Sequence, residues 1–378
     1  MTDGGGYKPS EDLLRNRVES EVSQLPHNAD YSSTHSLWHI QAATLKWVKK
    51  HTSIPVPEVY AYNACPNNEV KGAYILQERV CDREQQFSEP NLELSQLLGH
   101  RLDDFWHEHL TPEQRVIVMK QVASFEGELY KTRFSLIGSI YDDSQTGFRI
   151  GRLGPSIARS HELSNDRGPW TSIRAFLKWY VAAERNWLTE CTEDYTVLRR
   201  KICPNEDPNA HISYFKSLCD ILMRIIDNAQ FLDKIDPSIA HFVLFHEDIR
   251  TNNILVAYED HTRVVGLVDW EGARVLPMWA CAQESQVAEP ELSTSEQYLP
   301  LRKLRWQIMS DIEPGLSQIN NEVGLTLHNL HYLVAYPLSS TRSISSLNDF
   351  LHDELCSQKP LGEDAFMELA EFVAAQRS

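Results

Sequence analysis

No apolar run in this 378-residue sequence approaches the roughly 20 residues that a membrane-spanning helix requires, so no membrane partner is expected. Seven cysteines, Cys65, Cys81, Cys191, Cys203, Cys219, Cys281 and Cys356, are an odd number scattered without C-x-x-C spacing. That excludes a zinc ribbon or a disulfide framework and reads as reduced, mostly structural thiols. Positive charge is scarce: 36 Lys and Arg against 53 Asp and Glu leave a formal net charge of -17. A nucleic-acid surface would show a basic patch, so no nucleic-acid partner is expected, and most of the carboxylates read as solvated surface. No internal repeat is evident. The opening Met1-Thr2-Asp3-Gly4-Gly5-Gly6 lacks the apolar core of a secretory signal and the Arg-rich bias of a transit peptide. A cytoplasmic location is the expectation, with a mitochondrial one left open if the N-terminus is incomplete.

Length and composition describe a globular enzyme-sized chain. At 378 residues one hydrophobic core is too few, and two to three core units are expected. The 42% hydrophobic content is ordinary for such a protein.

Chemistry is concentrated between Phe245 and Glu271, where His246, Asp248, Asn253 and Asp269 surround two short apolar runs. Ile254-Leu255-Val256-Ala257 and Val264-Val265-Gly266-Leu267-Val268 read as strands, and the polar Glu259-Asp260-His261-Thr262-Arg263 between them reads as a hairpin turn. Antiparallel pairing about that turn sets position 254 opposite 268, and therefore 253 opposite 269. Opposed residues in such a ladder have Cα atoms roughly 4.5 to 5.5 Å apart. Asn253 and Asp269 would then present an amide oxygen and a carboxylate together, hard donors that suit a magnesium ion also holding substrate phosphates. Asp248 can reach the same mouth from the preceding loop. Taken singly, H-x-D and Asp-Trp are chance occurrences, and Asn or Asp at hairpin ends usually cap turns. Their joint spacing is what carries the reading.

His246-Glu247-Asp248-Ile249-Arg250-Thr251-Asn252-Asn253 has the H-x-D-x-x-x-x-N spacing of a kinase catalytic loop, and Asp269-Trp270-Glu271 follows a strand as the metal-binding Asp of kinases does. With Pro277 and Trp279 downstream, the stretch resembles the aminoglycoside phosphotransferase and choline kinase-like family more than protein kinases. The segments Ser53 to Pro57 and Tyr74 to Val80, and the stretch from Phe134 to Trp170, resemble fungal members of that family related to the altered inheritance of mitochondria proteins. The resemblance runs from about residue 37 to 310 and is most specific over 246 to 279.

The resemblance implies an α+β, protein-kinase-like fold of two lobes: a divergent segment 1-34, the remainder of a small front lobe and hinge over 35-80, and a helical lobe over 81-378. It implies ATP and Mg2+ as cofactors and a small-molecule hydroxyl as substrate. Asp248 would orient and help deprotonate that hydroxyl, Asn253 and Asp269 would hold the metal, and Arg250 would offset charge on the moving phosphoryl group. His246 is the remaining catalytic-loop candidate, with bracing of the loop favoured over proton transfer. The backbone of Glu78 and Val80 would bond the adenine.

Elsewhere helices are expected over Leu37 to Lys50, from Pro112 behind a Thr111 cap to about Tyr130, and over about 171-188, 212-230, 300-312 and 363-376. Pro55 and Pro57 exclude helix between them. The stretches Phe134 to Tyr141 and Gly147 to Gly154 read as less regular.

What the front of the chain lacks matters most for activity. Phosphoryl transfer in this template uses a glycine-rich hairpin, a strand Lys and a helix Glu that holds it. Gly4-Gly5-Gly6 has no preceding strand to pair, Lys8 stands before Pro9, and the family's Glu falls at Gln41, with Glu21 as an alternative. Two readings follow: an ATP-dependent small-molecule kinase, or a pseudokinase-like binding protein with little or no phosphotransfer.

Overall fold

The computed structural model describes residues 31-65, 68, 71-81, 96-143, 147-154, 167-202, 205, 207-228, 230-233, 235-281, 287, 298-319, 327 and 371. Lys8, Glu21 and the helix expected over 363-376 lie outside the described residues, apart from position 371.

The front begins with helix α1, Tyr31–His51, six residues earlier than the apolar pattern indicates. Ile40, the run from Ala42 to Leu45, and Val48 are buried, and Lys49, Lys50 and His51 fill the last turn, where cations suit the helix dipole. The Thr52 amide and hydroxyl both donate to the Val48 carbonyl and close the helix. Proline-fixed extended chain then leads into β1, Val59–Asn63, antiparallel to β2, Tyr74–Gln77. Strand β3, Arg79–Cys81, runs parallel to β4, Gln96–Leu98. Among the bonds that fasten this front to the rest are Leu267 N–H to the Pro55 carbonyl (2.8 Å) and Ser53 N–H to the Glu128 carboxylate (2.7 Å).

After strand β5, His100–Arg101, and the short helix α2, Asp103–Trp106, the body is mainly helical. Helix α3, Pro112–Tyr130, starts as its sequence dictates. Gln114 N–H donates to Thr111 Oγ1 (3.3 Å), and Thr111 N–H donates to Gln114 Oε1 (2.9 Å), a reciprocal cap that satisfies two otherwise orphaned donors. Helices α4 (Ile173–Glu190), α5 (Thr192–Ile202), α6 (Pro208–Asn228) and α8 (Leu299–Ile312) follow, with the four-residue α7, Met278–Cys281, between the last two. Three of these lie within a few residues of the expected spans; α5 is an addition. Trp106, Trp270, Trp279, Phe176 and Phe215 are the largest fully buried side chains, and they place the core between these helices and the strands carrying the site. No described helix is long and apolar enough to cross a membrane.

Two expectations are corrected. The stretch read as irregular forms a hairpin, β6 Ser139–Asp143 paired with β7 Gly147–Gly151, tied to the body by a bridge between Gly138 and Val275. The hairpin between Ile254 and Val268 is also out of its expected register, by two positions beside the turn and by one at its open end. In β9 (Ile254–Val256) and β10 (Val264–Leu267), Val264 faces Val256 but Gly266 faces Leu255 and Leu267 faces Ile254. Val265 is thus an extra residue on one strand, a bulge that recovers one of those two positions. Asn253 consequently bonds Val268, whose N–H reaches the Asn253 carbonyl at 3.0 Å, rather than facing Asp269. Strand β5 adds to β9, and β8, Phe242–Phe245, pairs with β11, Arg274–Pro277. The described architecture is therefore of mixed α+β class.

Candidate active site

The H-x-D loop leaves β8 at Phe245 and re-enters a strand at Ile254. It closes through a 3-10 turn, Thr251–Asn253, in which Asn253 N–H donates to the Arg250 carbonyl at 2.9 Å. That turn buries Asn253 (7% exposed) while its amide reaches the open end of the hairpin. Asn253 Nδ2 donates to Asp248 Oδ2 (3.0 Å), to the Asp248 carbonyl (2.9 Å) and to Asp269 Oδ2 (3.3 Å). The three residues singled out by spacing meet at one point despite the shifted register. Asp269 reaches it through a left-handed backbone, φ +68°, a conformation that Asp and Asn enter more readily than other side chains.

His246 is buried, and both ring nitrogens are engaged. Nδ1 accepts from Asp248 N–H (3.2 Å), so Nε2 carries the proton donated to the Val268 carbonyl (2.9 Å). Trp270 packs edge-on at 4.5 Å between centroids. Burial is the dominant effect on the imidazole and lowers its pKa, outweighing the Val268 carbonyl and the Asp269 and Asp248 charges. A neutral ring fixed at both ends holds the Asp248 backbone to the strand carrying Val268.

Arg250 lies exposed beside this group, with Nη2 3.0 Å from Asp248 Oδ2. Behind Asp248, Glu247 pairs with Arg274 of β11, an ion pair the sequence pattern did not single out; the only signal for it is that Arg274 begins an apolar strand. Partial loss of solvent, and then the Asp269 charge, raise the Glu271 carboxyl above its ordinary range.

The adenine candidates lie between β2 and β3 and within β3. Glu78 N–H is already bonded to the Glu58 carbonyl at 2.7 Å, so an adenine contact from Glu78 would use its carbonyl. Val80 sits in β3, opposite Leu97 of β4. Gln41 lies on α1, which carries no Asp or Glu anywhere in Tyr31–His51. The cation of that helix nearest the body, Lys46, is held by Asp142 of β6 at 3.0 Å, and Tyr62 OH donates to the same carboxylate at 3.2 Å. Burial first, then the Asp142 charge, push the Tyr62 hydroxyl up to about 12. Among the described residues no three His, Cys, Asp or Glu side chains form a metal cage. Magnesium bound through one or two carboxylates and substrate phosphates requires none.

Residues 136-280 match the model of the phosphotransferase enzyme family, a span that contains the whole catalytic hairpin. Two subtelomeric hrmA-associated cluster proteins, from two strains of Aspergillus fumigatus, are each 22% identical over 281 residues, covering 63% of this chain and 50% of theirs. The chain spans about half the length of the curated relatives it matches. Among solved structures, the gentamicin-APH(2")-IIa complex covers 90% of this chain and 81% of that one at 10% identity and a TM-score of 0.36, a likeness too low to carry an argument. The family match covers the segment in which Asp248, Asn253 and Asp269 converge.

Proposed function

We propose that the chain transfers the γ-phosphate of ATP to a hydroxyl of a small molecule, with Mg2+ held at the mouth of the β9–β10 hairpin. The observation that carries this is the convergence of Asp248, Asn253 and Asp269 on one amide nitrogen, within 3.3 Å of each carboxylate. The two carboxylates are hard-oxygen donors of the kind that accept magnesium alongside phosphates, and Asn253, whose Nδ2 faces them here, would add its amide oxygen on turning about its terminal torsion. The metal would neutralise charge on the β- and γ-phosphates. Asp248 would accept the proton of the acceptor hydroxyl as its oxygen bonds to the γ-phosphorus, while the bond from that phosphorus to the β–γ bridging oxygen breaks and ADP leaves. Arg250, next to Asp248 and exposed, would turn from that carboxylate to the moving phosphoryl group. His246, neutral and bonded at both nitrogens, acts as a brace of the loop in this reading.

One observation favours a second reading, a nucleotide-binding module with little turnover. Helix α1 offers no carboxylate to hold a phosphate-clamping Lys, and its own Lys46 is taken by Asp142. Thermal-shift titration with ATP, with and without Mg2+, tests the shared premise. A magnesium-dependent rise in melting temperature supports nucleotide binding, and its absence removes both readings. Release of ADP at substoichiometric enzyme then separates kinase from binding module.

A further inference from the structure

The catalytic loop is held from inside by His246, but its metal-side end is held from outside. Thr251, the first residue of the 3-10 turn that carries Asn253, is 8% exposed and donates its hydroxyl to the Asp103 carboxylate. Asp103 is exposed, but the backbone that carries it is fixed on both sides. Leu102 N–H bonds the Ile254 carbonyl at 2.8 Å, directly after Asn253. His100 and Arg101 pair with Val256 and Leu255 of β9. The turn that follows is anchored by the fully buried Trp106, and Arg115 bonds the carbonyls of Trp106 (2.8 Å) and His107 (2.7 Å). The same segment leads out of β4, whose Leu97 lies opposite Val80.

We infer that Asp103 is a positioning residue for Asn253: by fixing Thr251 it sets the amide of Asn253 between Asp248 and Asp269, and so ties the segment beside the adenine candidates to the metal end of the cleft. This rests on the nucleotide reading above. A charge-assisted bond to a buried hydroxyl holds geometry more strongly than a neutral one. It acts on Asn253 through two residues of a closed turn, so its loss should be felt in metal-dependent binding and not in binding of the nucleotide base.

The experiment compares calorimetric binding of ADP with Mg2+ and of ADP in chelator for the full chain and four variants. Asp103→Ala and Thr251→Val should raise the Mg2+ concentration giving half of the metal-dependent gain on the order of tenfold, with metal-free ADP affinity unchanged. Asp103→Asn keeps an oxygen acceptor and Thr251→Ser keeps the hydroxyl, so both should restore most of the wild-type requirement. If Asp103→Ala does not fold, Thr251→Val, which removes only the hydroxyl, decides the matter. An unchanged Mg2+ requirement in Thr251→Val, or an equal loss with and without metal, overturns the role of Asp103 while the nucleotide reading stands. Failure of the wild-type chain to bind either form overturns the nucleotide reading and this inference with it.

Discussion

Asn253 donates its amide Nδ2–H to Asp269 at 3.3 Å although the two are not ladder partners; the residue bonded across from Asn253 is Val268. The bulge at Val265 sets Asp269 one position nearer to Asn253 than unbroken pairing from Val264 would, and the left-handed turn at Asp269 brings its carboxylate the rest of the way. Conformation and chemistry are therefore linked at this residue, which must combine a carboxylate with tolerance of positive φ.

Asp269→Asn should keep the fold, because Asn enters the left-handed region as readily as Asp, and should weaken magnesium-dependent nucleotide binding by about tenfold or more, roughly 1.4 kcal/mol. Melting curves with ATP, with and without Mg2+, provide the measurement. Unchanged metal-dependent stabilisation in this variant would make the carboxylate structural.

Asp248→Ala should remove most of whatever turnover the chain has, on the order of 10² to 10⁴-fold, the usual contribution of a positioned general base. The starting rate should itself be low, since electrostatic stabilisation normally supplied by a front-lobe Lys is not seen among the described residues. ADP release under ATP saturation measures both. Vigorous Asp248-dependent turnover would mean that another cation replaces the clamp.

Stability should fall below neutral pH in part because of His246. Burial lowers its pKa in the folded chain from the ordinary 6.5, so as pH drops the unfolded chain binds a proton that the folded one refuses. The contribution is intact above about 6.5 and is lost as pH falls through the folded-state value. Urea midpoints at pH 8 and pH 5.5 should differ less in His246→Gln than in wild type. His39 and His241 are shifted the same way by burial, so the slope should flatten without vanishing. An unaltered slope would remove His246 from the account.

The buried pair Glu126–Arg305 joins α3 to α8, with side chains 8% and 4% exposed and N–O contacts of 2.6 and 2.8 Å. Glu126→Leu alone should cost about 3 to 5 kcal/mol by stranding a buried guanidinium. The double variant Glu126→Leu, Arg305→Met should recover much of that loss. Chemical denaturation of both variants is the check, and additive losses would show that the two residues do not act as a pair.

The α+β class, the capped start of α3 and the composition of the β9–β10 hairpin were legible because each depends on neighbours in sequence. Thr111 caps α3 through Gln114, three residues on, and Asp248 meets Asn253 through a closed five-residue loop. The register was misread because runs of consecutive apolar residues fix neither the length of the turn nor a bulge: Val264 pairs two positions away from its expected partner, and Val264 and Val265 look alike until the packed hairpin shows which one is extra. The β6–β7 hairpin was missed for a related reason. Glycines at Gly147 and Gly151 suggest irregular chain, whereas Gly147 occupies a left-handed turn, φ +86°, that closes a five-residue ladder.

By itself the sequence determined which chemical groups reach the hairpin mouth, since their spacing along a short loop and two strands leaves little freedom. Tertiary structure alone decided what steadies them. Thr251 meets Asp103, 148 residues away; Lys46 meets Asp142 at a separation of 96; Glu126 meets Arg305 at a separation of 179. Such partners are chosen by how helices and strands pack around a shared core, and a pairing between distant residues has no periodicity or spacing along the chain from which to read it.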